Sequence, residues 1–172
     1  MKRSIILVPV VVVAGMIAAL DHASAAPVTI AVFDIPADKF VAIVSSSNMF
    51  EIRSSELAQT KSGSEAIKAF ATQMIEDHTK AQDDLAASQG SLPAAEMSPK
   101  HTAMIALLEG ASNGDFDMLY TDMQAGAHTE AVSLFASYSV NGTDPKLKTF
   151  AAATLPHLEE HKLMIDKIAA QP

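Results

Sequence analysis

The chain has 172 residues, no cysteine or tryptophan, and a formal charge of −8 at pH 7 with an isoelectric point near 5.1. Without cysteine it is neither a lipid-anchored lipoprotein nor a disulfide scaffold, so its core has to hold by packing. So acidic a chain repels phosphate backbones and anionic lipid surfaces, which argues against nucleic-acid binding and favours cations as partners.

Residues 1–25 read as a signal peptide. Lys2 and Arg3 form a positive start, an apolar run from Ile5 to Leu20 is broken by Pro9 and Gly15, and Ala23-Ser24-Ala25 offers a small-residue cleavage site. The run falls short of the roughly 20 residues that span a bilayer. Cleavage after Ala25 would give an exported protein, periplasmic or secreted, with no stable membrane insertion. What remains is enough for one domain with a proper core. Loss of Lys2, Arg3 and Asp21 from the 12 basic and 20 acidic residues makes its charge about −9.

Residues 26–35 alternate weakly and suggest a short extended arm. The domain proper, 36–170, reads as four long amphipathic helices. The first starts at Pro36, a residue suited to a first helical position, and runs to about residue 60. Its inner stripe is Phe40, Val44, Ser47, Glu51, Ser54 and Ala58, in which Glu51 is the odd member. Ser62 and Glu65 have capping-box spacing and open a second helix to residue 89, with the stripe Ile67, Phe70, Ala71, Met74, His78, Ala81 and Leu85. A crossover of about 25 residues follows. It carries its own short helix from Ser98-Pro99 to Gly110, along with His101.

Ser112 and Asp115 open a third long helix, with the stripe Phe116, Tyr120, Gln124, His128, Ala131, Phe135 and Tyr138. Asn141-Gly142 ends it, and Asp144-Pro145 starts the fourth. On that last helix Leu147, Phe150, Thr154, His157, His161, Met164 and Ile168 recur at steps of three and four. Pro156 stands directly before His157, where it removes one helical hydrogen bond and frees the carbonyl of Ala152. The expected architecture is all-α, a four-helix bundle of two antiparallel pairs joined by the crossover.

Four histidines, His78, His128, His157 and His161, therefore sit on inner stripes near the middles of their helices, with Glu51 near the middle of the first. In a bundle of similar helices they meet at one level. Imidazoles with one carboxylate suit a transition metal rather than magnesium or calcium. Zinc is the expected ion, with copper or iron as alternatives. Met49, Met74, Met123 and Met164 lie near the same level and would suit copper, although methionine is also ordinary core filler. The competing reading is metal-free: an envelope interaction or structural protein whose core holds a polar network of the histidines, Glu51, Gln124 and Tyr120.

Two enzymatic patterns find no support in the sequence. A di-iron carboxylate site needs Glu-x-x-His on two helices, but Ile75, Ala125, Thr154 and Leu158 stand three residues before the four histidines. His157-Leu158-Glu159-Glu160-His161 matches a metalloprotease motif, yet no further ligand or substrate cleft accompanies it. No nucleophile or acid–base pair is legible, and no enzymatic activity is assigned.

Several segments together resemble a known family: Asn48-Met49-Phe50-Glu51-Ile52 with Ser54 to Ala58, Phe70-Ala71 through Asp77-His78-Thr79, Phe116-Asp117 through His128 to Ala131, and Leu155-Pro156 through His161. They are similar to the exported bacterial family called domain of unknown function 4142, over residues 36–169. The resemblance implies a ferritin-like bundle and export, and no established activity. A stress-response or metal-buffering role in the envelope is the expectation that joins the resemblance to the histidine cluster.

Overall fold

The computed structural model describes residues 35–89 and 96–170. The expected signal peptide, nearly all of the arm, and the turn at 90–93 lie outside the described residues. Five helices follow in order: α1 (Ala37–Lys61), α2 (Glu65–Gln89), α3 (Pro99–Gly110), α4 (Asn113–Asn141) and α5 (Pro145–Ala169). Among the described residues there is no strand, and no helix is long and apolar enough to cross a membrane.

Three of the five helix starts carry the side-chain caps that their sequences call for. The Ser98, Ser112 and Asp144 side chains accept from backbone N–H groups of the first turns of α3, α4 and α5, and Pro99 and Pro145 occupy first-turn positions with no N–H to satisfy. The expected Ser62–Glu65 capping box does not form. Ser62 instead closes α1, its N–H donating to the Ala58 carbonyl, while Ser64 accepts from the Ile67 N–H at 3.4 Å. The helix begins at Glu65, so Ser62 stands too far back to cap it. At the other tight turn, a side chain on Gly142 would put its Cβ 2.6 Å from the Tyr138 carbonyl oxygen. Only glycine fits there.

The turns between α1 and α2, and between α4 and α5, are three residues each, which makes each pair antiparallel. α2 packs on α5 and α1 on α4, so the four long helices close a ring, and α3 lies against α1 and α4. α3 is pinned at both ends. Near its start, Ser46 of α1 accepts from the Ser98 N–H at 2.8 Å and bonds His101 Nδ1 at 2.7 Å. Near its end, the Lys61 ammonium donates to the carbonyls of Leu108, Glu109 and Ala111 at 2.7–2.9 Å, satisfying acceptors that a helix C-terminus leaves open.

The core has two apolar clusters. One gathers Phe50, Phe70, Met74, Phe116, Tyr120 and Ile165. The other gathers Phe40, Val44, Leu85, Phe135, Phe150 and Leu158. The long helices contribute to both, and on each a polar residue falls between the two contributions: Asn48 on α1, His78 on α2, His128 on α4 and His161 on α5. The bundle thus has a polar waist.

α5 continues as helix through Pro156, which is exposed, as is Ala152. The carbonyl that proline leaves without a donor is therefore open to solvent. Proline in a helix interior costs about 3 kcal/mol relative to alanine, and an exposed ring gains little packing in return. Pro156→Ala is expected to stabilise the protein by about 1–3 kcal/mol, read as a higher urea midpoint with an unchanged slope. A lower midpoint would show that α5 needs the proline for its path.

Candidate metal centre

Burial on α5 follows a slightly different stripe from the one expected. Its buried residues are Leu147, Phe150, Ala151, Leu158, His161 and Ile165. At about 100° per residue, Leu158 and His161 stand within about 40° of Leu147, whereas His157 stands about 80° away. Steps of three and four can be taken in either order, and the order that passes through Leu158 wins because leucine gains more from burial than imidazole. His157 is consequently exposed and is not part of the buried cluster.

The other three histidines meet. His78, His128 and His161 are 4%, 1% and 2% exposed, and their ring centroids form a near-equilateral triangle with sides of 5.8, 5.6 and 5.5 Å. Each ring has one nitrogen bonded to an oxygen outside the triangle. His78 Nδ1 lies 2.9 Å from Asn48 Oδ1, His128 Nδ1 lies 2.9 Å from the Gln124 carbonyl oxygen, and His161 Nε2 lies 2.9 Å from Asp77 Oδ2. The Gln124 carbonyl and the Asp77 carboxylate can only accept, and Asn48 presents its own acceptor while its Nδ2 donates to Gln82. All three bonded nitrogens therefore carry the proton.

The remaining nitrogens, His78 Nε2, His128 Nε2 and His161 Nδ1, carry lone pairs, and all three are buried without a partner. The three residues can each offer a ring nitrogen within 4.8 Å of the other two. Burial holds all three imidazoles in the neutral form that ligates. It pushes His128 down to about 4, pushes His78 well below the ordinary histidine range with help from its two neighbours, and lowers His161 despite the opposing hydrogen bond that His161 donates to Asp77. The His161–Asp77 contact is thus a hydrogen bond donated by a neutral ring to the carboxylate, although its 2.9 Å length would suit an ion pair.

Glu51 is buried but lies outside this group of nitrogens. It belongs to the adjoining layer, where Gln124 Nε2 donates to Ser54 Oγ at 3.0 Å and Ser55 Oγ meets the Tyr120 hydroxyl at 3.0 Å. Burial raises the Glu51 carboxyl to about 8, opposed by its hydrogen-bonding neighbour Gln124. Burial thus favours the protonated carboxyl, which is a poor ligand for a cation. His101 is separate as well, stacked on Phe50 and bonded to Ser46.

Asn48 and Asp77, which fix two of the three tautomers, appear in the sequence only within the segments of the family resemblance and carry no expected site role there. Asn48 sits three residues before Glu51, one turn away on the buried face. Asp77 sits beside His78 but turned about 100° toward α5. Polar residues flanking a histidine stripe were the available signal.

A cleft of about 450 Å³ between α2 and α5 has His78 and His161 on its wall, with Asp77 and the exposed His157 beside them. Two of the three histidines therefore border a route to solvent, while the three unpartnered nitrogens are themselves buried. Three protein ligands leave the fourth position of a tetrahedral ion to water or another ligand, and a bonded oxygen behind each histidine is the usual support of a ligating imidazole.

The pH dependence of stability separates the two polar layers. Glu51 has a folded pKa above its unfolded one, so its contribution weakens stability as pH rises from about 4.5 to 8. The histidines have folded values below their unfolded ones, so theirs strengthens stability as pH rises toward 6.5. At pH 6.5 the histidines are still half-protonated in the unfolded chain, so their opposing effect fades only about one unit higher, and above about pH 7.5 the Glu51 effect is left. Between pH 6.5 and 8 the stability of metal-free wild type is expected to fall relative to that of Glu51→Gln by up to about 1.4 kcal/mol per pH unit. Urea titrations across the range check it, and an equal slope in the variant would contradict a protonated Glu51.

Two solved structures share the fold. CopM in its Cu(II)-bound form matches with a TM-score of 0.67 at 17% identity, covering 80% of this chain and 97% of that one. A DUF305 fragment from Deinococcus radiodurans matches with a TM-score of 0.66 at 12% identity, covering 77% and 93%. No curated protein matches the chain. The family described as domain of unknown function (DUF4142) matches residues 20–168, nearly the whole length, and the chain belongs to that family.

Proposed function

We propose that this protein binds one divalent transition-metal ion through His78 Nε2, His128 Nε2 and His161 Nδ1, that the ion is copper ahead of zinc, and that the protein serves as an exported metal-holding protein of the cell envelope. The observation that carries the reading is the convergence of three buried lone-pair nitrogens without partners. Left alone, such groups cost about 1–3 kcal/mol each. A single ion satisfies all three.

Three imidazoles suit both copper and zinc, and at equal availability the intrinsic order of affinity puts Cu(II) first. The Cu(II)-bound state of the structurally similar CopM supports the same choice. Iron is disfavoured because no carboxylate belongs to the group of three and the Glu-x-x-His pattern is missing. Asp77 supplies the negative charge that a dication on three neutral ligands needs nearby, one hydrogen bond behind His161. The export half of the reading rests on the signal-peptide pattern of residues 1–25.

The apolar clusters on either side of the waist hold the bundle by themselves, so chelation should remove the ion without unfolding the protein. Untagged protein dialysed against mixed copper, zinc and iron salts is expected to retain about one equivalent of copper per chain, measured by elemental analysis. His128→Ala is expected to abolish retention, with an unchanged far-ultraviolet circular dichroism spectrum. Asp77→Asn is expected to weaken affinity about 10- to 100-fold. One equivalent of zinc would reassign the metal. No retained metal in folded protein would leave a bundle with a metal-free polar waist.

A further inference from the structure

We propose that His157 is the capture ligand of the site: it takes the ion from solvent at the mouth of the α2–α5 cleft and passes it inward to His161, without staying bound to it. The proposal rests on the metal reading above. His157 and His161 both line that cleft and lie one helical turn, about 6 Å, apart along the same side of α5. The inner histidine is 98% buried and the outer one is exposed. The two rings thus form consecutive stations on one route along the cleft wall.

Other features of the cleft do little to draw in a cation. Its two carboxylates, Asp77 and Asp84, are matched by Lys80 and Lys146, so its formal charge is zero. Asp84 is paired with Lys80 at 2.5 Å, and Asp77 is committed to His161. His157 makes no hydrogen bond among the described residues, which leaves it as the uncommitted nitrogen donor on the wall. Behind it, His161 Nδ1 and His78 Nε2 are buried and unpartnered.

The transfer is simple ligand exchange. The imidazole of His157 displaces a water from the hydrated ion, then His161, His78 and His128 displace the remaining waters and His157 itself. The accepting nitrogens carry lone pairs, so no proton is released, and no electron moves. A tethered donor raises the local concentration of the ion at the inner site. By detailed balance it speeds release as much as uptake, and it leaves affinity unchanged.

Stopped-flow mixing of metal-free protein with Cu(II), followed by the copper absorbance and paired with chelator-driven release, tests this. In His157→Ala both uptake and release are expected to slow about ten-fold or more, with the dissociation constant held within about two-fold. His157→Glu keeps a donor at the mouth and is expected to stay near the wild-type rates. Unchanged rates in His157→Ala would overturn the proposal. So would a weakened affinity with unchanged uptake, which would make His157 a permanent fourth ligand. If wild type takes up no copper, the metal reading itself fails, and this proposal with it. Failure of the relay alone leaves copper bound at equilibrium in every variant.

Discussion

The structure depends on how three neutral imidazoles are held facing one another inside an otherwise apolar bundle. Burial alone would scatter them, because each ring has a donor and an acceptor to satisfy. Each donor is satisfied outward, by Asn48, by the Gln124 carbonyl and by Asp77. The acceptors then have nowhere to point but inward. Helix register follows from this: α1, α2, α4 and α5 all place a polar residue between their contributions to the two apolar clusters, and a shift of one residue in any of them would break the waist.

Two polar layers lie side by side in the waist, and they do different chemistry. The histidine layer is poor in protons, since burial pushes its rings below the range in which they would charge. The Glu51 layer retains its proton, since burial pushes the carboxyl up. The same low-polarity surroundings thus leave both layers uncharged near neutrality. A dication entering the histidine layer would introduce the first full charge, and Asp77, which is partly exposed, is the counter-charge that reaches it.

Much of this was legible in the sequence. The five helices fall where apolar periodicity, Ser-Pro, Asp-Pro and Gly signals place them. The stripes of α1, α2 and α4 place Glu51, His78, Gln124 and His128 inside, as observed. Periodicity reached its limit at His157, where two step orders share Thr154 and His161, and only packing against neighbouring helices favours Leu158 for the core. The outer partners were harder to see. Asn48 and Asp77 matter because of the angle at which they meet a ring on another helix, and one-dimensional spacing carries no information about that angle. Ser62 shows the same limit at a turn: its capping-box spacing with Glu65 is correct, and the helix simply starts two residues too late to use it.

The most direct test of the account is a crystal structure of the copper-loaded protein with anomalous data at the copper edge. The expected result is one peak per chain, about 2 Å from His78 Nε2, His128 Nε2 and His161 Nδ1, with the contacts to Asn48, Gln124 and Asp77 retained. A peak centred on His157, or a fully loaded crystal with no peak among the three rings, would contradict it.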